Sequence, residues 1–122
     1  MAENPAPGFQ KKPDHEVTLT PFTGNVQVRL GDAVIAESAQ AIKVTESNHG
    51  DCFYIPRADV AMDQATKTET SSYCPFKGHA SYYSFGAATD AAWSYEAPYD
   101  ECAGLKDYLA FYPNRVSDIR AG

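Results

Sequence analysis

No stretch of the sequence approaches the roughly 20 consecutive apolar residues that a bilayer-spanning helix needs. Its start, Met1-Ala2-Glu3-Asn4-Pro5, has neither the charged n-region nor the apolar h-region of a secretory signal. Both absences predict a cytoplasmic protein with no membrane partner. Cysteine is scarce: Cys52, Cys74 and Cys102 are odd in number, widely spaced and without a C-x-x-C pair. That pattern argues against a disulfide framework and a structural zinc site, and fits a reducing compartment. Basic residues are outnumbered, ten Lys and Arg against sixteen Asp and Glu, for a formal charge of −6. A surface of that sign repels phosphate backbones, so no nucleic-acid partner is expected. Glycine-rich phosphate loops of the G-x-x-x-x-G-K or G-x-G-x-x-G type are missing, as are internal repeats, heptads and low-complexity tracts.

What is present reads as one globular core. At 122 residues the chain has the commonest single-domain size, and its aromatic share of 12% supplies large core and pocket side chains. Residues 1–13 carry Pro5, Pro7, Gly8 and Pro13 with few apolar residues, which predicts a flexible N-terminal arm before a single domain over 14–122. Val17-Thr-Leu19 and Val26-Gln-Val28-Arg-Leu30 alternate with period two, as strands do. Gly31-Asp32 then offers a two-residue hairpin turn into Ala33–Ser38, and Ala41–Glu46 alternates again, so the first half reads as a meander.

After the turn cluster at 48–51, Cys52-Phe53-Tyr54-Ile55 is β-prone and stops at Pro56. Residues 62–72, polar and almost without large apolar groups, read as a long surface loop. Ala80–Phe85 and Ala91–Tyr95, separated by Gly86 and the Thr89-Asp90 corner, predict an aromatic hairpin. Tyr108–Tyr112 reads as the last strand, with Leu105–Phe111 open to a short helix instead. The sum is a mainly β, antiparallel domain, a single sheet that is closed or sandwich-like, with little helix.

Several residue types could carry chemistry. A thiolate is a nucleophile, and Lys77 on the Cys-Pro-Phe-Lys-Gly turn is near enough in sequence to activate Cys74; the alternative is a small buried cysteine beside an ordinary surface cation. His79 could act as a base if that turn folds back. Arg57 and Asp59, two apart after Pro56, would project from one face of an extended segment and could clamp an anion together; the alternative is a local surface pair. Tyr73, Tyr82, Tyr83, Trp93, Tyr95, Tyr108 and Tyr112 are mostly core, yet two or three of them could wall a site with Lys77 and Arg57 at its mouth. His49, Cys52 and Cys74 sketch a zinc site that scattered single residues often produce by chance, and no metal is expected.

Four segments together resemble a known family: Phe53–Val60, Ser72–Tyr82 with its Cys-Pro-Phe-Lys-Gly core, Ala91–Tyr95 and Tyr108–Val116. In that order and spacing they are similar to the bacterial and fungal domain of unknown function 427, also labelled nucleotidyltransferase-like. The resemblance spans nearly all of 15–119 and implies a small all-β domain, akin to β-tent folds but without the paired cysteines that hold their zinc. It brings no established activity. Nucleotidyl transfer would need closely paired carboxylates on Mg²⁺, for which Asp59 and Asp63 are a weak approximation. The function expected is binding of a small anionic or polar ligand in an aromatic pocket lined by Arg57, Asp59, Lys77, Tyr82, Tyr83 and Trp93, with Cys74 at its centre. The alternatives are an enzyme with Cys74 as nucleophile and Lys77 as activator, or a structural or interaction module. Cofactor, ligand identity and oligomeric state are left open.

Overall fold

Alternation of apolar and polar residues decides most of the secondary structure. The computed structural model describes residues 4–47 and 49–122. Among these, ten strands follow in order: β1 (Val17–Pro21), β2 (Val26–Leu30), β3 (Ala33–Ser38), β4 (Ile42–Glu46), β5 (Cys52–Tyr54), β6 (Ala65–Cys74), β7 (Gly78–Phe85), β8 (Ala88–Ser94), β9 (Leu109–Phe111) and β10 (Asp118–Ala121). One four-residue helix, α1 (Gly8–Lys11), and 3-10 turns at Arg57–Asp59, Met62–Gln64 and Asp100–Leu105 complete the elements.

All strand pairing is antiparallel, as expected, and helix is sparse. The strands divide into three sheets, β1-β4-β5, β10-β2-β3 and β6-β7-β8-β9, and none closes into a barrel. The first half is not a meander: β1 pairs with β4, while β2 pairs with β3 on one side and with β10 on the other. Two-residue turns form both hairpins that alternation predicted. Gly31 (φ 62) takes the first turn position between Leu30 and Ala33, and Gly86 (φ 56) does so between Phe85 and Ala88, the positive φ that type II′ turns need and Gly adopts without a Cβ clash. The second turn is thus Gly86-Ala87. The expected corner at Thr89-Asp90 lies inside β8, where Asp90 (φ 50) sits beside the register shift of the β7–β8 pair.

One further expectation gives way. Residues 62–72 are no loop; from Ala65 they form the outer strand β6, paired along β7. Thr66, Thr68 and Thr70 are good strand residues, and an edge strand with solvent along it can be polar throughout. The stretch after Pro98, where a short helix was open from Leu105, forms the Asp100–Leu105 3-10 turn and then strand β9, matching the strand reading of its end. β10, with Ile119 its one sizeable apolar residue, had no readable alternation.

The segment expected as a mobile arm is docked. Asn4 N–H donates to Asp100 Oδ2 (2.7 Å), Ala6 N–H to Glu101 Oε1 (2.8 Å) and Gly8 N–H to the Pro75 carbonyl (3.0 Å). Ala6 is buried, and the Phe9 ring meets Phe76 edge-on at 4.9 Å.

Two apolar clusters lie on opposite faces of the strands that join the sheets. One gathers Val26, Val28, Ile35, Ile55, Phe85, Leu109 and Phe111, the other Val44, Tyr54, Ala80, Tyr95, Cys102, Leu105 and Ala110. Successive side chains of a strand point to opposite faces, so Tyr54 and Ile55, or Ala110 and Phe111, serve different clusters. The junction itself is one bridge, in which Ile55 and Leu109 exchange both backbone hydrogen bonds at 2.8 and 2.9 Å.

Candidate functional site

The Cys-Pro-Phe-Lys-Gly segment is the tip of the β6–β7 hairpin. Pro75 holds the second position of a turn closed by Lys77 N–H donating to the Cys74 carbonyl (3.3 Å), the position at which its fixed φ is an asset. Gly78 follows at φ 120, where a side chain would be strained and a Cβ would lie 3.4 Å from the Ala97 carbonyl oxygen. Phe76 turns inward under His15, its ring stacked on the imidazole at 3.9 Å.

That tip delivers Lys77 to the end of β4. The lysine side chain is only 7% exposed and donates to Glu46, itself 12% exposed. His15 Nε2 lies 2.8 Å from the other Glu46 oxygen. Burial acts to raise the Glu46 pKa, but the hydrogen bonds from Lys77 and His15 outweigh it and hold the carboxylate below its ordinary value. Glu46 stands on the same strand face as Ile42 and Val44, a carboxylate at an apolar position. The sequence carries that signal, since a charge at an apolar strand position demands a partner.

Above this pair opens a cavity of about 580 Å³. Tyr82 of β7, Trp93 of β8, Tyr95, Tyr112 and Tyr54 wall it, with Cys52, Cys74, His49 and Asp51 at its sides. The Tyr82 and Tyr112 rings are within 9° of parallel, and Trp93 meets Tyr112 at 4.4 Å. Trp93 Nε1–H donates to the Tyr54 hydroxyl (3.1 Å), so what the indole offers a ligand is its ring. Burial raises the phenols of Tyr54 and Tyr95, and burial with the Tyr82 contact pushes Tyr112 up to about 12, so all three remain neutral hydroxyls at physiological pH. Burial likewise pushes the Cys52 and Cys102 thiols up to about 11.

Of the residues expected to form the site, the structure brings Cys74, Lys77, Tyr82 and Trp93 to this one cavity and sends Arg57, Asp59 and Tyr83 elsewhere. Arg57 and Asp59 do not share an extended face, because Pro56 opens a 3-10 turn and rotates them apart. Arg57 donates to the Asp107 carbonyl (3.0 Å), the Tyr83 hydroxyl (3.0 Å), Ser94 Oγ (3.1 Å) and Glu96 (3.3 Å). Four engaged donors leave no fork for an incoming anion. Glu96, which also accepts from Tyr83, Ser81 and Lys67, is held at a pKa of about 2: burial would raise it, and those hydrogen bonds prevail. Asp59 accepts from Ser38 Oγ (2.6 Å), while Asp63 sits exposed on the next 3-10 turn. The His79 ring packs on Tyr73 at 4.7 Å on the exposed side of the hairpin. His49, Cys52 and Cys74 all line the cavity, yet among the described residues no three His, Cys, Asp or Glu are grouped as a metal would require. Among them, too, no helix is long and apolar enough to cross a membrane.

The molecule is therefore an antiparallel three-sheet β domain with an aromatic cleft over a buried lysine–carboxylate pair. It belongs to the family described as domain of unknown function (DUF427), whose model matches residues 18–122. A comparison with curated proteins found no match.

Proposed function

We propose that the domain binds a small, planar, polar ligand in the cleft between Tyr82, Trp93, Tyr95 and Tyr112. The observation that carries this reading is the convergence of those rings, from β7, β8 and the residues just after β8 and β9, on one cavity floored by a charged pair. Concave, largely aromatic walls with a few placed polar groups are what small-molecule sites have in common. The ligand is neutral or cationic rather than anionic. Arg57 is engaged away from the cleft, Lys77 is neutralised by Glu46, and Asp51 adds a further negative charge. Aromatic faces near carboxylates favour positive or hydrogen-bonding groups.

Cys74 opens into the same cleft, but Lys77 spends its bond on Glu46 and, among the described residues, no imidazole is hydrogen-bonded to the thiol, so binding is favoured over covalent catalysis. The partner is a small molecule rather than nucleic acid or membrane, and three free cysteines are consistent with a cytoplasmic location. The test is a nuclear magnetic resonance screen of planar fragments in neutral, cationic and anionic forms against the labelled protein. Neutral or cationic fragments should shift the resonances of Glu46, Lys77, Tyr82, Trp93 and Tyr112. Absence of any such fragment, or fragments that map to another face, would refute the reading.

A further inference from the structure

The bridge between β5 and β9 ends after one residue pair. Ile55 and Leu109 exchange both backbone hydrogen bonds, and in an antiparallel ladder the next such pair, two residues on along each strand, is Phe53 with Phe111. No hydrogen bond joins that pair, because the strands part there. Ladder parity fixes where the idle groups point. Tyr54 and Cys52 lie opposite Ile42 and Val44 on the β4 side of β5, and Tyr112 N–H donates to Ala91 on the β8 side. The N–H and C=O of Phe53 and Phe111 therefore face each other across the opening.

A second cavity, of about 250 Å³, occupies this opening. It is lined by Val26, Val28, Phe53, Ile55 and Phe111 from one face of the strands, and also by Cys52 and Trp93, which belong to the opposite cluster. A cavity with walls from both faces passes through the split. Asp51, Cys52 and Trp93 line it and the large cleft alike, so the two cavities adjoin at those residues. Phe111 is 4% exposed, and backbone groups so placed are nearly always paired in native proteins.

We infer that the two cavities form one site running through the split, and that its ligand is an elongated amphiphile. A planar polar group lies in the large cleft, an amide-type donor–acceptor edge meets the backbone of Phe53 and Phe111 at the waist, and an apolar appendage fills the smaller chamber. This rests on the ligand-binding reading of the large cleft and specifies what that ligand carries beyond its polar head.

The experiment uses 4-hydroxybenzamide and its N-methyl, N-propyl and N-hexyl derivatives, beside the matching alkyl 4-hydroxybenzoate esters, which lack the N–H. Trp93, the one tryptophan in the sequence, reports binding by its fluorescence. Affinity should rise about fourfold for each methylene buried, then level off once the chamber is full. Each ester should bind about tenfold more weakly than its amide, through loss of the donor. The amide resonances of Phe53 and Phe111 should shift on binding the longer amides. If 4-hydroxybenzamide binds and chain length changes nothing, or esters equal amides, this inference falls and the cleft reading stands. If no member of the series binds, both fall.

Discussion

Replacing Glu46 by Gln leaves the shape of the site almost unchanged and removes the charge opposite Lys77. With the lysine side chain 7% exposed, its ammonium has little access to water in compensation. Breaking a buried ion pair by removing one partner costs about 3–5 kcal/mol, and the retained amide oxygen together with the adjoining cavity puts Glu46→Gln near the lower end, about 3 kcal/mol. Lys77→Met should be milder, about 1–2 kcal/mol, because Glu46 keeps His15 at 2.8 Å and is itself at the cavity edge. The double variant should cost about as much as Lys77→Met alone, a coupling of about 3 kcal/mol, since a methionine no longer needs the carboxylate. Urea unfolding read by circular dichroism measures all three, and Glu46→Gln should lower Tm by about 12 °C for a domain of this size. The pH sense is fixed as well. Glu46 is depressed in the folded state, so its contribution is complete above the ordinary carboxylate pKa and is lost as pH falls toward the folded value. A Glu46→Gln variant within about 1 kcal/mol of the parent, or additive costs in the double variant, would refute the reasoning.

Other outcomes follow from the same geometry. Glu96, held at about 2, should stabilise the fold above about pH 4.5 and lose that contribution between about 4.5 and 2; with 30% of its side chain exposed, solvent screening limits the effect to about 1 kcal/mol, and Glu96→Gln should flatten that acid limb of the stability curve. At pH 8, Cys52 should alkylate at least about tenfold more slowly than an unperturbed thiol and Cys102 only on unfolding, read by mass spectrometry after timed iodoacetamide quenching; equal rates at both would contradict their burial. Gly78→Ala should cost about 2 kcal/mol and Gly31→Ala about 1 kcal/mol, because φ 120 lies outside the left-handed basin that φ 62 occupies; reversed magnitudes in denaturant midpoints would overturn the account of the hairpin tip. Cys74→Ser should change stability by less than about 1 kcal/mol, as a half-buried thiol without a hydrogen bond, while altering fragment affinity in the cleft; a large stability loss with unchanged binding would favour the structural-module reading.

What could be read from the sequence was what depends on near neighbours. Val26-Gln-Val28-Arg-Leu30, Gly31-Asp32 and the run after Gly86 announce strands and turns because period-two burial and positive φ are local properties. Pairing across the chain is not local. Nothing in Val17–Leu19 says that its partner is β4 rather than β2, and Ile119 alone could not announce β10. Polarity misled at residues 62–72, where a strand without a buried face looks like a loop. At the site, Cys74 and Lys77 were legible because Pro75 and Gly78 mark a tight turn around them. An extended backbone after Pro56 would put Arg57 and Asp59 on one face, whereas a 3-10 turn sends one to Glu96 and the other to Ser38. Glu46 could have been found by asking why a carboxylate shares a strand face with Ile42 and Val44.

The same non-local pairing explains why there is a cleft at all. If the chain had run as a meander, β4 and β5 would have continued into one sheet with their neighbours and the two apolar clusters would have been sealed from each other. Instead β5 joins β9 by the single bridge at Ile55 and Leu109, and the strands separate at the next pair, Phe53 with Phe111, beyond which Pro113 has no N–H to resume the ladder. The separation places Trp93 and Cys52 where both cavities reach them. Phe76, seated under His15, and Lys77, tied to Glu46, then hold the hairpin tip against the β4 side of the opening. Pro75, Phe76, Lys77 and Gly78 each have a conformational or packing reason to be what they are. Cys74 alone in that motif has its side chain open to the cleft without a hydrogen-bonded partner, so it is the motif position whose identity the ligand, rather than the fold, has reason to set.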